Sequence, residues 1–277
     1  NMDNYFNAKA KLFTKEYTEI AVINIDDQYG LKLSKQVSIP TQTVSRNNKN
    51  ANWYYEKIES KIDGFEVEIN SSDGKKISGK LALIGEFNLD NLLLAVALAS
   101  SAGLDEVKIS STIAKLTSVP GRLEQIKVGQ GFTALVDYAH TPDAVSRVLE
   151  IAGKITNGKV IAVLGCGGDR DISKRPVMGQ ALYTGSDIAI FTSDNPRSES
   201  ADSILKEMIS GLDLSQKGEV CIDRREAISL AVNKANAGDV VLIMGKGHES
   251  GQEIKGVITP FDDRLELTQA ILKQGKK

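Results

Sequence analysis

A short turn at Asp194-Asn-Pro-Arg197 combines a carboxylate, an amide and a planar guanidinium within four consecutive residues. Pro196 stiffens this turn, because the proline ring restricts its own backbone. An arginine can bind a carboxylate through two parallel hydrogen bonds, and an aspartate can accept hydrogen bonds from an ammonium group. The turn therefore indicates a site for the ammonium and carboxylate groups of an amino acid.

Three other polar or glycine-rich clusters each follow a predicted β-strand in the second half of the chain. They are Asp137-Tyr-Ala-His140, Gly165-Cys-Gly-Gly-Asp-Arg-Asp171 and Gly245-Lys-Gly-His-Glu249. Taken alone, each one is compatible with an ordinary turn or helix cap, because loops favour Gly, Asp and Asn. The carboxyl ends of parallel strands, however, lie on one edge of a sheet, where ligands bind. We therefore expect the clusters to converge on one crevice.

Several residues in these clusters allow two interpretations. His140 is either an acid–base or phosphate-contacting group, or an imidazole that caps the following helix. The segment 165–168 can hold an anion at a helix N-terminus, but it matches neither the phosphate-loop nor the dinucleotide-binding pattern. Lys9 shares a predicted helix with two other lysines, so its local sequence indicates only a solvated side chain.

From residue 130 onward, predicted strands alternate regularly with predicted helices, and these elements must position the clusters. Short β-branched runs predict buried parallel strands at 132–137, 159–164, 187–192, 219–222 and 239–244. Helical periodicity predicts helices at 142–153, 174–184, 201–212, 224–236 and 263–273. This half of the chain is therefore predicted to be a Rossmann-like, doubly wound α/β domain.

The first part of the chain has a less regular pattern. We predict a helix near 3–16, a strand at 19–24, a polar loop around 45–52 and a hairpin over 61–80. Two helices are predicted to follow, at 88–102 and 105–116. Val119-Pro-Gly121 interrupts the pattern, and it places the domain boundary between residues 1–119 and 120–277.

Composition limits the class of protein. Lys plus Arg number 34 against 36 Asp plus Glu, so a net charge of −2 provides no general attraction for nucleic acid or an anionic membrane. No apolar run approaches the roughly 20 residues of a membrane span, and the first residues lack signal-peptide features. Two cysteines are too few for a disulfide framework. These features predict a cytoplasmic protein.

In their order and spacing, the motifs resemble the Mur ligase family, and within it the members that form UDP-N-acetylmuramoyl tripeptides. The resemblance extends over nearly the whole chain. The matching segments are Tyr5-Phe-Asn-Ala-Lys9, Ala21-Val-Ile-Asn-Ile-Asp-Asp27, Gly85-Glu-Phe-Asn-Leu-Asp-Asn91, Val119-Pro-Gly-Arg-Leu-Glu124, Asp137-Tyr-Ala-His-Thr-Pro-Asp143, Gly165-Cys-Gly-Gly-Asp-Arg-Asp171, Lys174-Arg-Pro176, Asp194-Asn-Pro-Arg197, Gly245-Lys-Gly-His-Glu249 and Phe261-Asp-Asp-Arg264.

The resemblance implies an ATP-dependent amide ligase of peptidoglycan synthesis. ATP phosphorylates the terminal carboxylate of UDP-N-acetylmuramoyl-L-alanyl-D-glutamate, and the amine of meso-diaminopimelate then attacks the acyl phosphate. Magnesium and cationic side chains neutralise the developing charge in such a reaction. The implied protein is a monomer with a central ATPase-type α/β domain, present here in part, followed by a C-terminal amino-acid-binding domain.

The resemblance also implies roles for individual residues. Lys9 matches a lysine that is carbamylated in the family, which makes it an anionic oxygen ligand for Mg²⁺. The expected nucleotide-binding residues are Asn88, Asn91, Arg122, Asp137 and His140. The expected amino-acid-binding residues are Arg170, Asp194, Asn195, Pro196, Arg197, Gly245 and Glu249. The turn at 194–197 favours the diaminopimelate branch, because relatives that add L-lysine differ there.

The sequence departs from the family because no phosphate loop with a terminal Lys-Ser/Thr occurs in the 277 residues. The domain that binds the uridine nucleotide has no counterpart either. We therefore expect a C-terminal fragment of such a ligase, inactive alone because the phosphate loop holds the phosphates during transfer. Weak binding of diaminopimelate can survive in it.

Other functions remain open at this point. One alternative is an L-lysine-adding or folylpolyglutamate-type ligase, which would share the nucleotide residues and differ at 194–197. Another is a noncatalytic binding protein that has kept the amino-acid pocket. A nucleotide-binding dehydrogenase is a third, although the chain lacks the dinucleotide fingerprint.

Overall fold

The computed structural model describes residues 2–61 and 64–275, which divide into two compact units. The first unit ends at Thr117 and the second begins at Ser118. Both units combine helices with a sheet that contains parallel strands, so the predicted α/β class is confirmed. None of the helices described has both the length and the apolar character needed to cross a membrane.

The first unit contains one mixed sheet of five strands. Its order is β1-β2-β3-β4-β5, in which β1, β2 and β3 are parallel and β3, β4 and β5 are antiparallel. The strands are β1 (Ala21–Asn24), β2 (Thr41–Ser45), β3 (Trp53–Lys61), β4 (Gly64–Ser71) and β5 (Lys76–Leu81), and the helices are α1 (Met2–Ala10), α2 (Gln28–Gln36), α3 (Phe87–Ser101) and α4 (Glu106–Ile113).

The core of the first unit forms where α3 packs on this sheet. Leu89, Leu93 and Val96 of α3 are buried with Trp53 and Ile69 of the strands. Full burial of one such aliphatic side chain contributes about 1.5–3 kcal/mol. The helix is therefore fixed by its apolar face.

The second unit contains a six-stranded sheet of order β10-β9-β8-β11-β7-β6, in which every pairing is parallel except β6 with β7. An antiparallel hairpin is formed by β12 and β13. The strands are β6 (Glu124–Ile126), β7 (Thr133–Asp137), β8 (Val160–Cys166), β9 (Ile188–Ser193), β10 (Gly218–Val220), β11 (Val240–Met244), β12 (Gly251–Ile254) and β13 (Val257–Pro260), and the helices are α5 (Pro142–Lys154), α6 (Lys174–Gly185), α7 (Ala201–Met208), α8 (Arg224–Lys234) and α9 (Asp263–Gln274).

Local sequence explains the main elements of this unit. Strands β8 and β11 are buried along their whole length, as expected of central parallel strands covered on both faces. Helix α5 begins where the hydroxyl of Thr141 accepts a hydrogen bond from the backbone N–H of Ala144, with Pro142 in the first turn. Its buried face contains Val145, Leu149 and other apolar residues at helical spacing.

Some predicted elements differ from the structure. The helix expected at 3–16 ends at Ala10, because the backbone N–H groups of Leu12 and Phe13 bond to carbonyls three residues back in tight turns. The helix expected at 201–212 ends at Met208, shortly before Gly211 with φ +80°. Within the predicted hairpin at 61–80, Ile62 and Asp63 lie outside the described residues.

Candidate functional site

A cavity of about 420 Å³ opens in the second unit, a volume suited to a small ligand. Its walls come from the segments that follow β7, β8, β9 and β11, together with the start of α6. The structure thus brings the four polar clusters to one place. The predicted site residues that line the cavity are His140, Arg170, Asp194, Asn195, Arg197, Gly245 and Glu249.

The strand order explains why these segments meet. Strand β11 lies between β7 and β8, and β9 lies on the other side of β8. The chain must therefore leave β7 and pass the position of β11 to reach β8, which breaks the sequential order of the strands. In parallel α/β sheets, ligands bind outside the carboxyl ends of the strands at such a point.

The turn at 194–197 interlocks with the glycine-rich segment after β8. The backbone N–H of Gly168 donates to the carbonyl of Asn195 at 2.8 Å, and Nη1 of Arg197 donates to the carbonyl of Gly168 at 2.6 Å. A Cβ atom at Gly168 would lie 1.9 Å from the carbonyl oxygen of Pro196. Pro196 is itself buried, so only glycine permits this close approach.

The β12–β13 hairpin forms hydrogen bonds with the turn at 194–197. Arg197 donates its backbone N–H to the carbonyl of Glu253 and accepts from the N–H of Lys255, while Gln252 Nε2 donates to the carbonyl of Asp194 at 2.7 Å. Arg197 has φ +52°, a left-handed conformation that costs about 1–2 kcal/mol in a residue with a side chain. The hairpin bonds offset this strain, and sequence periodicity gave no indication of the hairpin.

A buried lysine lies among the acidic and amide groups of the cavity. Lys246 has 0% exposure, and its Nζ is 2.9 Å from Asn195 Oδ1, 3.2 Å from Glu249 Oε2 and 3.5 Å from Asp194 Oδ1. Burial raises the pKa of Asp194, whereas the positive charges of Arg224 and Lys246 oppose that rise. Sequence reasoning missed Lys246, because a lysine between two glycines is typical of an exposed loop.

A buried ion pair between Arg224 and Asp263 contacts the ends of two strands whose following loops line the cavity. Arg224, the first residue of α8, donates from Nε and Nη2 to the two carboxylate oxygens of Asp263, both at 2.7 Å. The same guanidinium donates to the carbonyls of Ser193 and Met244, the last residues of β9 and β11. Both side chains of the pair have 0% exposure. The only sequence signal for it was the matching segment Phe261-Asp-Asp-Arg264.

Arg175 links the glycine-rich segment to the residues after the turn. Its guanidinium donates to Glu199 at 2.7 and 2.8 Å, to Glu207 at 2.7 Å and to the carbonyl of Gly167 at 3.3 Å. Glu199 also accepts from the backbone N–H of Asp169. The hydrogen bonds from Arg175, followed by that backbone bond, lower the pKa of Glu199 to about 2.

The expected nucleotide residues of this unit lie around Tyr138. The guanidinium of Arg122 lies 4.9 Å from the Tyr138 ring centre, and the His140 ring lies 4.6 Å from it. Asp137 is buried and accepts from the N–H groups of Leu123 and Ala139; burial raises its pKa, and these bonds and Arg122 oppose the rise. The capping interpretation of His140 is wrong, because its Nδ1 lies 2.9 Å from the Tyr138 carbonyl, and Thr141 caps α5.

The remaining predicted residues belong to the first unit, where all lie on helices. Lys9 is exposed on α1, with Nζ 4.8 Å from the centre of the Tyr5 ring. On α3, Asn88 Nδ2 donates to the carbonyl of Ile84, and Asn91 Nδ2 donates to Asn88 Oδ1 at 3.4 Å. Lys9 and Asn91 are exposed, and their roles stay predictions.

The described residues do not form a magnesium site by themselves. Within residues 2–61 and 64–275, no group of three or more His, Cys, Asp or Glu side chains is placed to hold a metal ion. Lys9 carries an exposed amine rather than an oxygen ligand. Of the two cysteines, Cys166 is buried against Met178, and burial raises the pKa of its thiol to about 12.

A doubly wound sheet with a polar cavity at its carboxyl edge defines an α/β ligand-binding protein. Two family profiles match the chain: "Mur ligase middle domain" over residues 1–99 and "Mur ligase, glutamate ligase domain" over residues 121–247. The chain belongs to the Mur ligase family.

Similar proteins agree on one branch of that family. The chain is 45% identical to UDP-N-acetylmuramoyl-L-alanyl-D-glutamate–2,6-diaminopimelate ligase of Streptomyces coelicolor, covering 98% of this chain and 55% of the relative. The protein of the same name from Aquifex aeolicus is 41% identical, with 95% and 53% covered. The chain therefore spans about half the length of the curated relatives it matches.

Among the solved structures, one has the same name as these relatives and another shares the fold. A structure of a ligase with that name superposes with a TM-score of 0.70 at 38% identity, covering 99% of this chain and 57% of the other. Folylpolyglutamate synthase of Mycobacterium tuberculosis, solved with ADP, superposes with a TM-score of 0.68 at 20% identity, covering 88% and 56%. At that identity the second likeness shows the fold alone.

Proposed function

We propose that this chain is the part of an ATP-dependent amide ligase that binds the incoming amino acid, and that the amino acid is meso-diaminopimelate. The observation that carries the proposal is the convergence of acidic and guanidinium side chains on one cavity. Asp194 and Glu249 lie on its walls together with Arg170 and Arg197. The names of the relatives at 45% and 41% identity support the same amino acid.

The chemistry of the walls favours a diamino diacid over a simple diamine. The carboxylates of Asp194 and Glu249 accept hydrogen bonds from an ammonium group, and the guanidinium groups of Arg170 and Arg197 bind a carboxylate. L-Lysine offers the side-chain ammonium without the adjacent carboxylate of meso-diaminopimelate. A site built for that carboxylate rejects a ligand that lacks it, because its polar groups are then left unpaired.

In the proposed reaction, ATP transfers its terminal phosphoryl group to the carboxylate of UDP-N-acetylmuramoyl-L-alanyl-D-glutamate. The amine of the bound amino acid attacks the acyl phosphate, a C–N bond forms, the C–O bond to phosphate breaks, and phosphate and a proton leave. This chain's contribution is to orient the amino acid. Arg122, Asp137 and His140, with Asn88 and Asn91, are proposed to contact the nucleotide.

Magnesium would supply neutralising charge to the transferred phosphoryl group. The described residues do not form a magnesium site by themselves, and the role of carbamylated Lys9 as a magnesium ligand stays a prediction. ATP and a UDP-linked precursor are intracellular substrates, so we propose a cytoplasmic location. We also propose that the chain alone forms no product, because it has no phosphate-loop motif.

Titration calorimetry of the purified chain with meso-diaminopimelate, L-lysine and ATP tests the proposal. We expect meso-diaminopimelate to bind at least about tenfold more tightly than L-lysine. Arg170→Gln should lower that affinity by about tenfold or more, because Arg170 is exposed and lines the cavity. Arg147→Gln, on the exposed face of α5, is the matched control and should have no effect. A preference for L-lysine, or no amino-acid binding, would contradict the proposal.

A further inference from the structure

Lys246 is buried by a backbone that only glycine neighbours permit. It stands between Gly245 with φ +115° and Gly247 with φ +55°, directly after β11. Residues with side chains rarely adopt such angles. The side chain of Lys246 is fully buried, and its ammonium has three acceptors within 3.5 Å, one each from Asn195, Glu249 and Asp194.

Packing alone gives no reason for a charged side chain at this buried position. Removing an ammonium from water is costly, and a complete buried ion pair can often be replaced by apolar residues without loss of stability. A buried cation therefore needs another explanation when its hydrogen-bond partners line a ligand cavity, as Asp194, Asn195 and Glu249 do. The proposed function assigns two of its acceptors, Asp194 and Glu249, to the amino acid, and the third, Asn195, lines the same cavity.

The geometry around Asn195 shows what the lysine does. The Asn195 Oδ1 atom accepts from Lys246 Nζ at 2.9 Å and from the backbone N–H of Glu253 at 3.0 Å. Its Nδ2 atom donates to Glu249 Oε2 at 2.9 Å. A flipped amide would place its own N–H groups against two donors, so this network allows a single orientation.

Glu249 is fixed in the same way. Its Oε2 atom accepts from both Asn195 and Lys246, which leaves Oε1 to accept from a ligand. Asp194 adds a second carboxylate, whereas Arg224 and Asp263, the other charges near Asp194, pair with each other. Within the group of Asp194, Glu249 and Lys246, the lysine therefore balances one of the two carboxylates, and the group keeps one negative charge for a ligand ammonium.

We propose that Lys246 is a positioning and specificity-determining residue of the amino-acid site. Its ammonium fixes the carboxylates of Glu249 and Asp194 as acceptors for the substrate ammonium, and it fixes the Asn195 amide, whose second N–H can donate to the substrate carboxylate that L-lysine lacks. The proposal rests on the proposed function of the cavity. Because Lys246 acts through these three side chains, it need not touch the substrate.

Lys246→Met tests the proposal, because methionine has similar length and no charge or donor. We expect the affinity of the full chain for meso-diaminopimelate to fall by about tenfold or more, and its preference over L-lysine to narrow. Lys206→Met, the same change at an exposed position of α7, should leave both values within about twofold. Lys246→Gln retains a donor for Asn195 and should show an intermediate loss.

Affinity and preference in Lys246→Met within about twofold of the parent would overturn the proposal. If Lys246→Met does not fold, Lys246→Gln is judged by the same two values. Failure of both variants to fold would make the lysine a requirement of folding and would also overturn a role in specificity.

A ligand-free measurement separates this proposal from the proposed function. In the parent chain, the Asn195 side-chain amide should give one set of NMR signals that changes in Lys246→Met and not in Lys206→Met. No binding of meso-diaminopimelate by the parent contradicts the proposed function, and the amide signals then decide the role of Lys246. Unchanged Asn195 signals in Lys246→Met overturn it.

Discussion

The predicted site residues of the two units differ in the kind of element that carries them. In the first unit, Lys9 lies on α1 and Asn88 and Asn91 lie on α3. In the second unit, seven predicted residues lie on segments at or after strand ends and line one cavity. Loops that follow parallel strands lie on the same edge of the sheet, whereas no such rule brings residues of different helices together. Convergence was therefore predictable from residues only in the second unit.

Buried charge distinguishes the units as well. Of the residues that the structure describes, the buried polar side chains of the first unit are Ser45 and Ser71. The second unit buries cations and carboxylates, among them Lys246, Arg224 and Asp263. A buried charge is stable only with its partners in place. Substitutions of these buried charges should therefore disturb both stability and binding, whereas exposed positions of the first unit should tolerate change.

Arg224→Met should have the largest effect on stability. It leaves the Asp263 carboxylate buried without its cation and removes the bonds to Ser193 and Met244, so we expect a loss of about 3–5 kcal/mol in the second unit. Urea unfolding followed by far-ultraviolet circular dichroism measures this. The fluorescence of Trp53, the single tryptophan, reports the first unit and should keep its midpoint.

The neighbouring substitution Arg225→Met is the matched control for Arg224. Arg225 also forms an ion pair, with Glu266, but its side chain is 56% exposed. Solvent reaches the Arg225 guanidinium although the Glu266 side chain is only 11% exposed, so this variant should lose much less stability than Arg224→Met. Equal losses in the two variants would show that burial of the pair does not distinguish the second unit.

Gly168→Ala should have the next largest effect. The new Cβ would lie 1.9 Å from the carbonyl of Pro196, so the glycine-rich segment and the turn must separate, at a cost of about 1–3 kcal/mol. We also expect weaker meso-diaminopimelate binding, because Arg197 donates to the Gly168 carbonyl. Gly153→Ala is the control, since its Cβ meets nothing within 4 Å and alanine favours the helix. Unchanged binding in Gly168→Ala would contradict the interlocked site.

Glu199→Gln should produce a smaller effect that depends on pH. Bonding to Arg175 lowers the Glu199 pKa from 4.5 to about 2, so between these values the unfolded chain binds more protons than the folded one. The stability contribution is complete above pH 4.5 and is lost as the pH falls towards 2. The parent should therefore lose more stability on acidification than Glu199→Gln. Urea midpoints across this range measure the difference.

Glu226→Gln is the control for this acid dependence. Glu226 is exposed on α8, and its substitution should leave the slope of stability against pH as in the parent. If Glu199→Gln shows that same slope, the bonds from Arg175 do not contribute to the acid sensitivity of the second unit.

Much of the second unit could be predicted from local sequence. The apolar runs of β8 and β11 specify buried strands, and Thr141-Pro142 specifies the start of α5, because each signal lies within the element itself. The residue types at 194–197 were enough to predict that this turn carries polar groups of the site. In the first unit, β2, β3 and α2 were not predicted, because their polar residues obscure the period that marks a strand or helix.

The buried charges could not be predicted in this way. Arg224 is 39 residues from Asp263, and Lys246 is 51 residues from Asn195. Local sequence carries no record of such partners, and an isolated lysine or arginine indicates an exposed side chain. The buried charges that hold the site in place are thus harder to predict from sequence than the residues that line the cavity.

Lys9→Gln should have the smallest effect and gives the sharpest test of the contrast between the units. Lys9 is exposed on α1, so the free energy of unfolding of the first unit should change by no more than about 0.5 kcal/mol. The fluorescence of Trp53 during urea unfolding measures this. Calorimetry should give an unchanged affinity for meso-diaminopimelate, because the cavity walls belong to the second unit. A tenfold loss, comparable with that expected for Arg170→Gln, would mean that the determinants of amino-acid binding extend beyond the second unit. Convergence at one sheet edge would then explain only part of the site.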